Sequence, residues 1–266
     1  MENIPLPSRI TVKEGKNENN SIFIIEPCYP GYGITLGNAL RRNILGSLPG
    51  ASVISFKIKG AQHEFSSVPG VKEDLVDISL NLKQLRLKIF SEGPIKLELK
   101  AKGEKKVTAG DITPNSDVEI INKDLVLFTI TDKNIHAEAE LMVGTGRGYV
   151  TTESREQEEG EIGMIAIDAN YTPITRVGFN IENMRVGQMT NWDRLILDIE
   201  TDGTISPSTA MHIALKDLVA HFNFVLDNIP EVSLKSKTRK EAPEAKEKEK
   251  EKPAKKARKP KKEKSE

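Results

Sequence analysis

The sequence predicts an α+β protein: a strand-rich, antiparallel central block, flanking segments of strands with one helix each, and a charged tail. Three observations carry that prediction. Period-two apolar alternation recurs at short intervals between residues 50 and 175. Amphipathic helical patterns stand on either side of that block. The last 32 residues, 235–266, hold almost no large apolar side chains.

The first element is a strand over 21–25, Ser-Ile-Phe-Ile-Ile, and a glycine turn at Gly31-Tyr32-Gly33 then feeds a helix. At 3.6 residues per turn, Leu36, Leu40, Ile44 and Leu48 form one stripe, widened by Leu45 and Arg41, with Asn38 and Arg42 on the other flank. Pro49-Gly50 is read as its stop. A face this wide fits a helix with two surfaces to bury, and paired arginines beside it suit a carboxylate-bearing partner. An ordinary core helix with solvated arginines accounts for the same spacing.

Strands follow. Ile54, Phe56 and Ile58 alternate with Ser55, Lys57 and Lys59, the pattern of a half-buried strand. Leu85, Leu87 and Ile89 repeat it, as do Ile95, Leu97 and Leu99. Further strands are expected at 118–120, 125–130, 137–143 and 162–167, with turns at Glu92-Gly93-Pro94 and Thr113-Pro114-Asn115. So many short strands at this spacing indicate an antiparallel arrangement. One helix interrupts them, beginning near Lys72 and carrying Leu75, Ile78 and Leu82 on one face.

Two more strands, 177–181 and 195–199, lead to a turn at Asp202-Gly203. Ser206-Pro207 then makes a good helix start, a hydroxyl cap before a proline whose missing N–H does no harm. That helix carries Met211, Leu215, Leu218, Phe222 and Val225 at spacings of 4, 3, 4 and 3. The spacing is that of a heptad seam, although two heptads also fit a helix packed on its own sheet.

Lys plus Arg and Asp plus Glu each number 39 in the 266 residues, but the balance is uneven. From Lys235 onward there are 15 basic and 7 acidic residues, about +8, leaving about −8 on the rest. An acidic body argues against a large DNA-binding face, whereas the tail could touch nucleic acid weakly and in a salt-dependent way. A solvating tail without a specific partner fits its composition equally, and such a segment is expected to be disordered. The single cysteine, Cys28, excludes an internal disulfide framework and fits a reducing compartment. No run of ~18 apolar residues and no leader-like N-terminus is present, so a cytoplasmic protein without membrane contact is expected.

Catalytic motifs are missing from the sequence. Gly144-Thr145-Gly146-Arg147-Gly148 lacks the lysine and spacing of a phosphate loop and reads as a turn that uses positive φ. His63, His136, His212 and His221 lie too far apart in sequence to indicate a zinc site. His63-Glu64 and Glu73-Asp74 could suggest acid–base pairs, but taken as strand neighbours they would point to opposite faces, which argues against a catalytic role. No cofactor and no metal are expected.

Gly31-Tyr-Gly-Ile-Thr-Leu-Gly-Asn-Ala-Leu-Arg-Arg42 closely resembles the first signature of the bacterial RNA polymerase alpha subunit, in its N-terminal assembly domain. His63-Glu-Phe-Ser66 with Gly70-Val-Lys-Glu-Asp74 and Leu80-Asn-Leu-Lys83 resembles a second, Gly146-Arg-Gly-Tyr149 a third, and Thr201-Asp-Gly-Thr-Ile205 a fourth. Four motifs in family order, over residues of about 20 to 230, make the resemblance specific.

The resemblance implies a dimerisation domain of residues 1–49 and 174–234, an inserted β-rich domain of 50–173 contacting large subunits, and a tail of 235–266. It implies a homodimer that scaffolds the beta and beta-prime subunits, with omega in the core enzyme and sigma in the holoenzyme, and no active site in this chain. Arg42, with Arg41 and Leu45 beside it, matches the positions for beta, and Lys83 and Ile167 those for beta-prime. The dimer interface is expected on Leu36, Leu40, Ile44, Met211, Leu215, Leu218, Phe222 and Val225. Many relatives continue into a small helical C-terminal domain that binds upstream DNA; here a Lys/Glu tail stands instead, so that role is not carried over. The competing reading is a stand-alone dimeric β-rich binding protein.

Overall fold

The computed structural model describes residues 4–61, 63–91, 93–155 and 163–229. The Lys/Glu-rich segment 235–266 therefore lies outside the described residues. Among the described residues, 4–226 form one compact unit.

In chain order the elements begin with β1 (Arg9–Glu14), β2 (Asn20–Cys28), α1 (Tyr32–Gly46), β3 (Pro49–Ile58) and α2 (Leu75–Leu82). Five strands follow: β4 (Leu87–Ile89), β5 (Ile95–Lys102), β6 (Lys105–Thr108), β7 (Val118–Ile120) and β8 (Val126–Ile130). The remainder are β9 (His136–Arg147), β10 (Tyr149–Val150), β11 (Ile165–Ala166), β12 (Ala169–Asn170), β13 (Ile174–Val186), β14 (Met189–Thr201) and α3 (Pro207–Asn228). Among the described residues every strand pair is antiparallel, and the fold is α+β as expected.

Two hydrophobic cores organise the described residues. The first lies on a four-stranded sheet of order β1-β2-β14-β13. Leu195, Leu197 and Ile199 alternate along β14 and are fully buried, facing Ile25 and Phe23 of β2 in register. Helices α1 and α3 contribute Leu40, Ile44, Ala210, Met211 and Ala214 to this core. The opposite face carries ion pairs, Arg176 with Asp198 at 2.8 Å and Arg194 with Glu26.

The second core lies within a six-stranded sheet of order β5-β9-β3-β4-β7, with β11 also paired to β3. Helix α2 packs Leu75, Ile78 and Leu82 into it against Phe56, Leu99 and Phe128. Asp74 caps α2 by accepting from the Asp77 N–H at 2.7 Å, which is why the helix starts there and not at Lys72. Glu73 turns the other way and accepts from the backbone N–H and hydroxyl of Thr129. Neither His63-Glu64 nor Glu73-Asp74 lies in a strand, so the alternating-face reasoning applied to them was misplaced; the second pair does structural work.

Helix α1 differs from its sequence reading in an instructive way. Its buried positions are Gly33, Gly37, Leu40 and Ile44, not the leucine stripe alone. A Cβ on Gly37 would stand 2.7 Å from Phe179 Cδ2 and 3.0 Å from Leu195 Cδ1, so only glycine lets the helix lie this close to the sheet. The helix ends at Gly46, where Ser47 returns its N–H and hydroxyl to the Asn43 carbonyl. Leu48 is buried beyond the helix, and Pro49-Gly50 opens β3 instead of terminating α1. Short strands β6, β10 and β12 carried too few alternating residues to be legible in sequence, and β1, whose alternating Ile10 and Val12 are exposed, was passed over.

Candidate functional site

With Gly33, Gly37, Leu40 and Ile44 against the sheet, α1 turns Ile34, Asn38, Arg41, Arg42 and Leu45 outward. Leu45 is 38% exposed, and neither Arg41 nor Arg42 has an ion-pair partner among the described residues. The three side chains proposed for one partner are therefore brought together on one open surface, two unpaired cations beside an apolar group. The helix presenting them is fixed at both ends. Gly31, at φ 84°, turns the chain into it, and Asp193 of β14 accepts from the N–H groups of Gly31 at 2.9 Å and Gly33 at 3.1 Å. A carboxylate there satisfies two orphan donors and complements the positive end of the helix dipole. At the other end Asn43 donates to the Ala214 carbonyl at 2.6 Å and ties α1 to α3.

Helix α3 opens as expected, with the Ser206 hydroxyl accepting from the Thr209 N–H. Its first half is buried through Pro207, Ala210, Met211 and Ala214, while Leu215, Val219, Phe222, Val225 and Leu226 are exposed. The eight residues expected at a dimer interface thus divide. Leu40, Ile44 and Met211 are buried within their own protomer, Leu36 and Leu218 are half-buried, and Leu215, Phe222 and Val225 are open. The exposed apolar surface also takes in Val219, Phe224 and Leu226, which a strict seam of 4, 3, 4 and 3 does not include.

Lys83 closes the C-terminal end of α2, and its ammonium lies 3.2 Å from Asp168 in the turn between β11 and β12. Asp168 also accepts from the Thr152 N–H and the Tyr149 hydroxyl, both at 2.9 Å. These contacts, the backbone N–H first, then the phenol and the ammonium, hold its carboxyl down to about 2. The same hydrogen bond raises the Tyr149 phenol above its ordinary value. Ile167, next in sequence, is 5% exposed within the second core, so its side chain offers no open apolar contact as expected from the resemblance. Its main-chain carbonyl is held by Arg155. Asp168 and Tyr149 were missed as site residues because their partnership joins three segments distant in sequence.

The third and fourth sequence motifs lie where the two cores meet. Arg147 stands 3.8 Å from Asp217 of α3, and Arg86 stands 3.7 Å from Asp202. Within the third motif only Gly148 uses positive φ, at 66°. Gly146 is required for a different reason: the Tyr171 ring would be 2.6 Å from its Cβ.

Among the described residues no three His, Cys, Asp or Glu side chains group as a cation site. Cys28 is buried, and burial followed by the Asp193 charge raises its thiol, which keeps it protonated. A cavity of ~370 Å³ opens between β5, β7 and the 109–116 segment, lined by Phe90, Leu97, Ile112, Pro114 and Val118. No described helix is long and apolar enough to cross a membrane.

Residues 56–172 match the family described as the RNA polymerase Rpb3/RpoA insert domain. The chain is 46% identical over 224 residues to the DNA-directed RNA polymerase subunit alpha of Oceanobacillus iheyensis, which covers 84% of this chain and 71% of that protein. Together with four motifs in family order, the chain belongs to the bacterial DNA-directed RNA polymerase alpha subunits.

Proposed function

We propose that this chain works as a homodimeric scaffold on which the beta and beta-prime subunits of RNA polymerase assemble, omega and sigma joining in the core enzyme and holoenzyme. Residues 1–49 and 174–234 serve as the dimerisation domain and 50–173 as the inserted domain. The two separate cores, and a family match over 56–172, support that division. The chain contributes no catalytic residue and takes no cofactor or metal. This reading rests on a sequence without phosphate-loop or zinc-protease motifs. A cytoplasmic location goes with it.

One observation carries the scaffold reading furthest. Arg41 and Arg42 stand unpaired beside exposed Leu45 on a helix whose opposite face is locked to the sheet. A rigid helix holding two unsatisfied guanidinium groups outward fits recognition of a carboxylate-bearing partner surface, since arginine binds carboxylates bidentately. Beta is placed there and beta-prime at Lys83. Because one copy takes beta and the other beta-prime, the assembly is asymmetric although the dimer is not.

The test is reconstitution with beta and beta-prime, comparing wild type with Arg42→Ala by size exclusion. The variant is expected to dimerise and to lose beta. Wild-type protein that captures neither large subunit overturns the scaffold reading. A variant that assembles normally leaves the scaffold but moves the beta contact off Arg42.

A further inference from the structure

We propose that the third and fourth sequence motifs form a clasp that sets the angle between the dimerisation domain and the inserted domain, and so governs how well a dimer already holding beta takes up beta-prime. The inference deepens the scaffold reading, and rests on it for the identity of the partners.

Among the described residues the chain passes between the two cores at two places, from α1 into β3 and from β12 into β13. The two crossings lie side by side. The Thr172 hydroxyl donates to the Leu45 carbonyl at 3.5 Å, and a Cβ on Gly50 would stand 1.8 Å from the Tyr171 carbonyl oxygen. Two adjacent crossings make a hinge, and domains joined in that way turn about it unless contacts off the hinge oppose the motion.

Such contacts stand on either side of it. Strand β3 enters the six-stranded sheet from the hinge, with β9 on one flank and β4 on the other. Arg147 of the third motif ends β9 opposite Pro49, and its guanidinium lies 3.8 Å from Asp217 of α3. Arg86 precedes β4, whose Leu87 pairs with Ala51, and it lies 3.7 Å from Asp202 of the fourth motif. Each neighbour of the entering strand thus offers one arginine to one aspartate of the other domain, and turning either way stretches one of the pairs. One oxygen of Asp202 accepts from the N–H and hydroxyl of Thr204, which leaves the other for Arg86, and this side chain is 7% exposed. Gly203 follows at φ 93°, and a Cβ there would meet Ile121 of the inserted domain at 3.3 Å. In Asp217 the oxygen that faces Arg147 is buried and has no hydrogen bond. A buried carboxylate oxygen is costly without an opposite charge, so the closed pair is favoured.

The scaffold reading puts beta on α1 of one copy and beta-prime on the inserted domain of the other, so the clasp fixes the span between the two sites. An inserted domain free to turn presents its site correctly for only part of the time, and the apparent affinity falls by that fraction. Arg86, Arg147, Asp202 and Asp217 are therefore positioning residues.

The experiment uses the full-length dimer, with a spin label on Lys106→Cys, an exposed position of the inserted domain; Cys28, the native cysteine, is buried. One label per protomer reads the distance between the two inserted domains across the dimer. Asp202→Asn/Asp217→Asn is expected to keep the dimer and its capture of beta, to broaden that distance, and to weaken beta-prime capture by about tenfold. Arg86→Gln/Arg147→Gln, which changes the more exposed partners, is expected to do the same and decides the matter if the first variant folds poorly. An unchanged distance, a broadened distance with beta-prime capture intact, or an equal loss of beta overturns the proposal. Wild-type protein that takes up no beta-prime is a different result and overturns the scaffold reading itself.

Discussion

Asp193 occupies a position that no local pattern marks, since it caps a helix that began 161 residues earlier in the chain. Its carboxylate replaces the side-chain cap that Gly31 cannot supply. Asp193→Ala should therefore destabilise the protein by about 1–2 kcal/mol, the usual cost of losing a cap. Urea unfolding at fixed protomer concentration measures this, and an unchanged midpoint would show that water caps α1 as well. Asp168 makes a second prediction at this scale, one of pH. Its carboxyl falls from 3.8 to about 2 on folding, so the folded state favours the charged form. The stability it contributes is complete above about pH 4 and is lost as pH falls from about 4 to about 2. Asp168→Asn should lower stability at neutral pH and flatten the unfolding profile in that acid window. An identical acid limb in variant and wild type would rule out Asp168 as its source. The role proposed for Arg41, Arg42 and Leu45 came from the family resemblance, but, since they share one element, their closeness was legible from spacing. Asp168 and Asp193 were not, because their partners are brought to them only by the sheets.

At the scale of elements, α1 shows why helical periodicity alone misassigned a face. The leucine stripe was real, but half of the buried face is glycine, which a search for apolar side chains passes over. Gly37→Ala tests the consequence. In an isolated helix the change should help by about 1 kcal/mol. Here the new Cβ meets Phe179 at 2.7 Å and Leu195, which is fully buried, at 3.0 Å. Overpacking of that kind typically costs about 1–3 kcal/mol and should outweigh the propensity gain. Chemical unfolding is expected to show a net loss of about 1 kcal/mol; a raised midpoint would mean that α1 can lift off the sheet freely. The longer strands β3, β9, β13 and β14 were all recognised, although each runs beyond its alternating centre. Strand length there is set by pairing with neighbours, for example along Pro49–Ile58 against β9, and not by the strand's own composition.

At the scale of the whole molecule, the question is which apolar surface remains after both cores are filled. Helix α3 answers it, because packing on its own sheet, one of the two readings its spacing allowed, holds for the first part of the helix only. The first half packs on its own sheet through small residues, Ala210 and Ala214, and the second half stays open. Phe222 is 64%, Val219 54% and Val225 51% exposed, side by side on successive turns. Contiguous apolar surface of this kind marks an interface, and a second copy is the occupant that the scaffold reading requires. Phe222→Asp should then weaken the dimer by about 100-fold or more, because an unpaired carboxylate would have to enter an apolar contact. Met211→Asp should instead unfold the protomer, since Met211 is 6% exposed in the first core. Sedimentation over a range of protomer concentrations, read beside far-UV dichroism, separates the two outcomes. Phe222→Asp is expected to give folded monomer and Met211→Asp unfolded chain. A Phe222→Asp protein that stays dimeric at nanomolar concentration would place the two-fold contact elsewhere, and leave the open half of α3 for one of the large subunits.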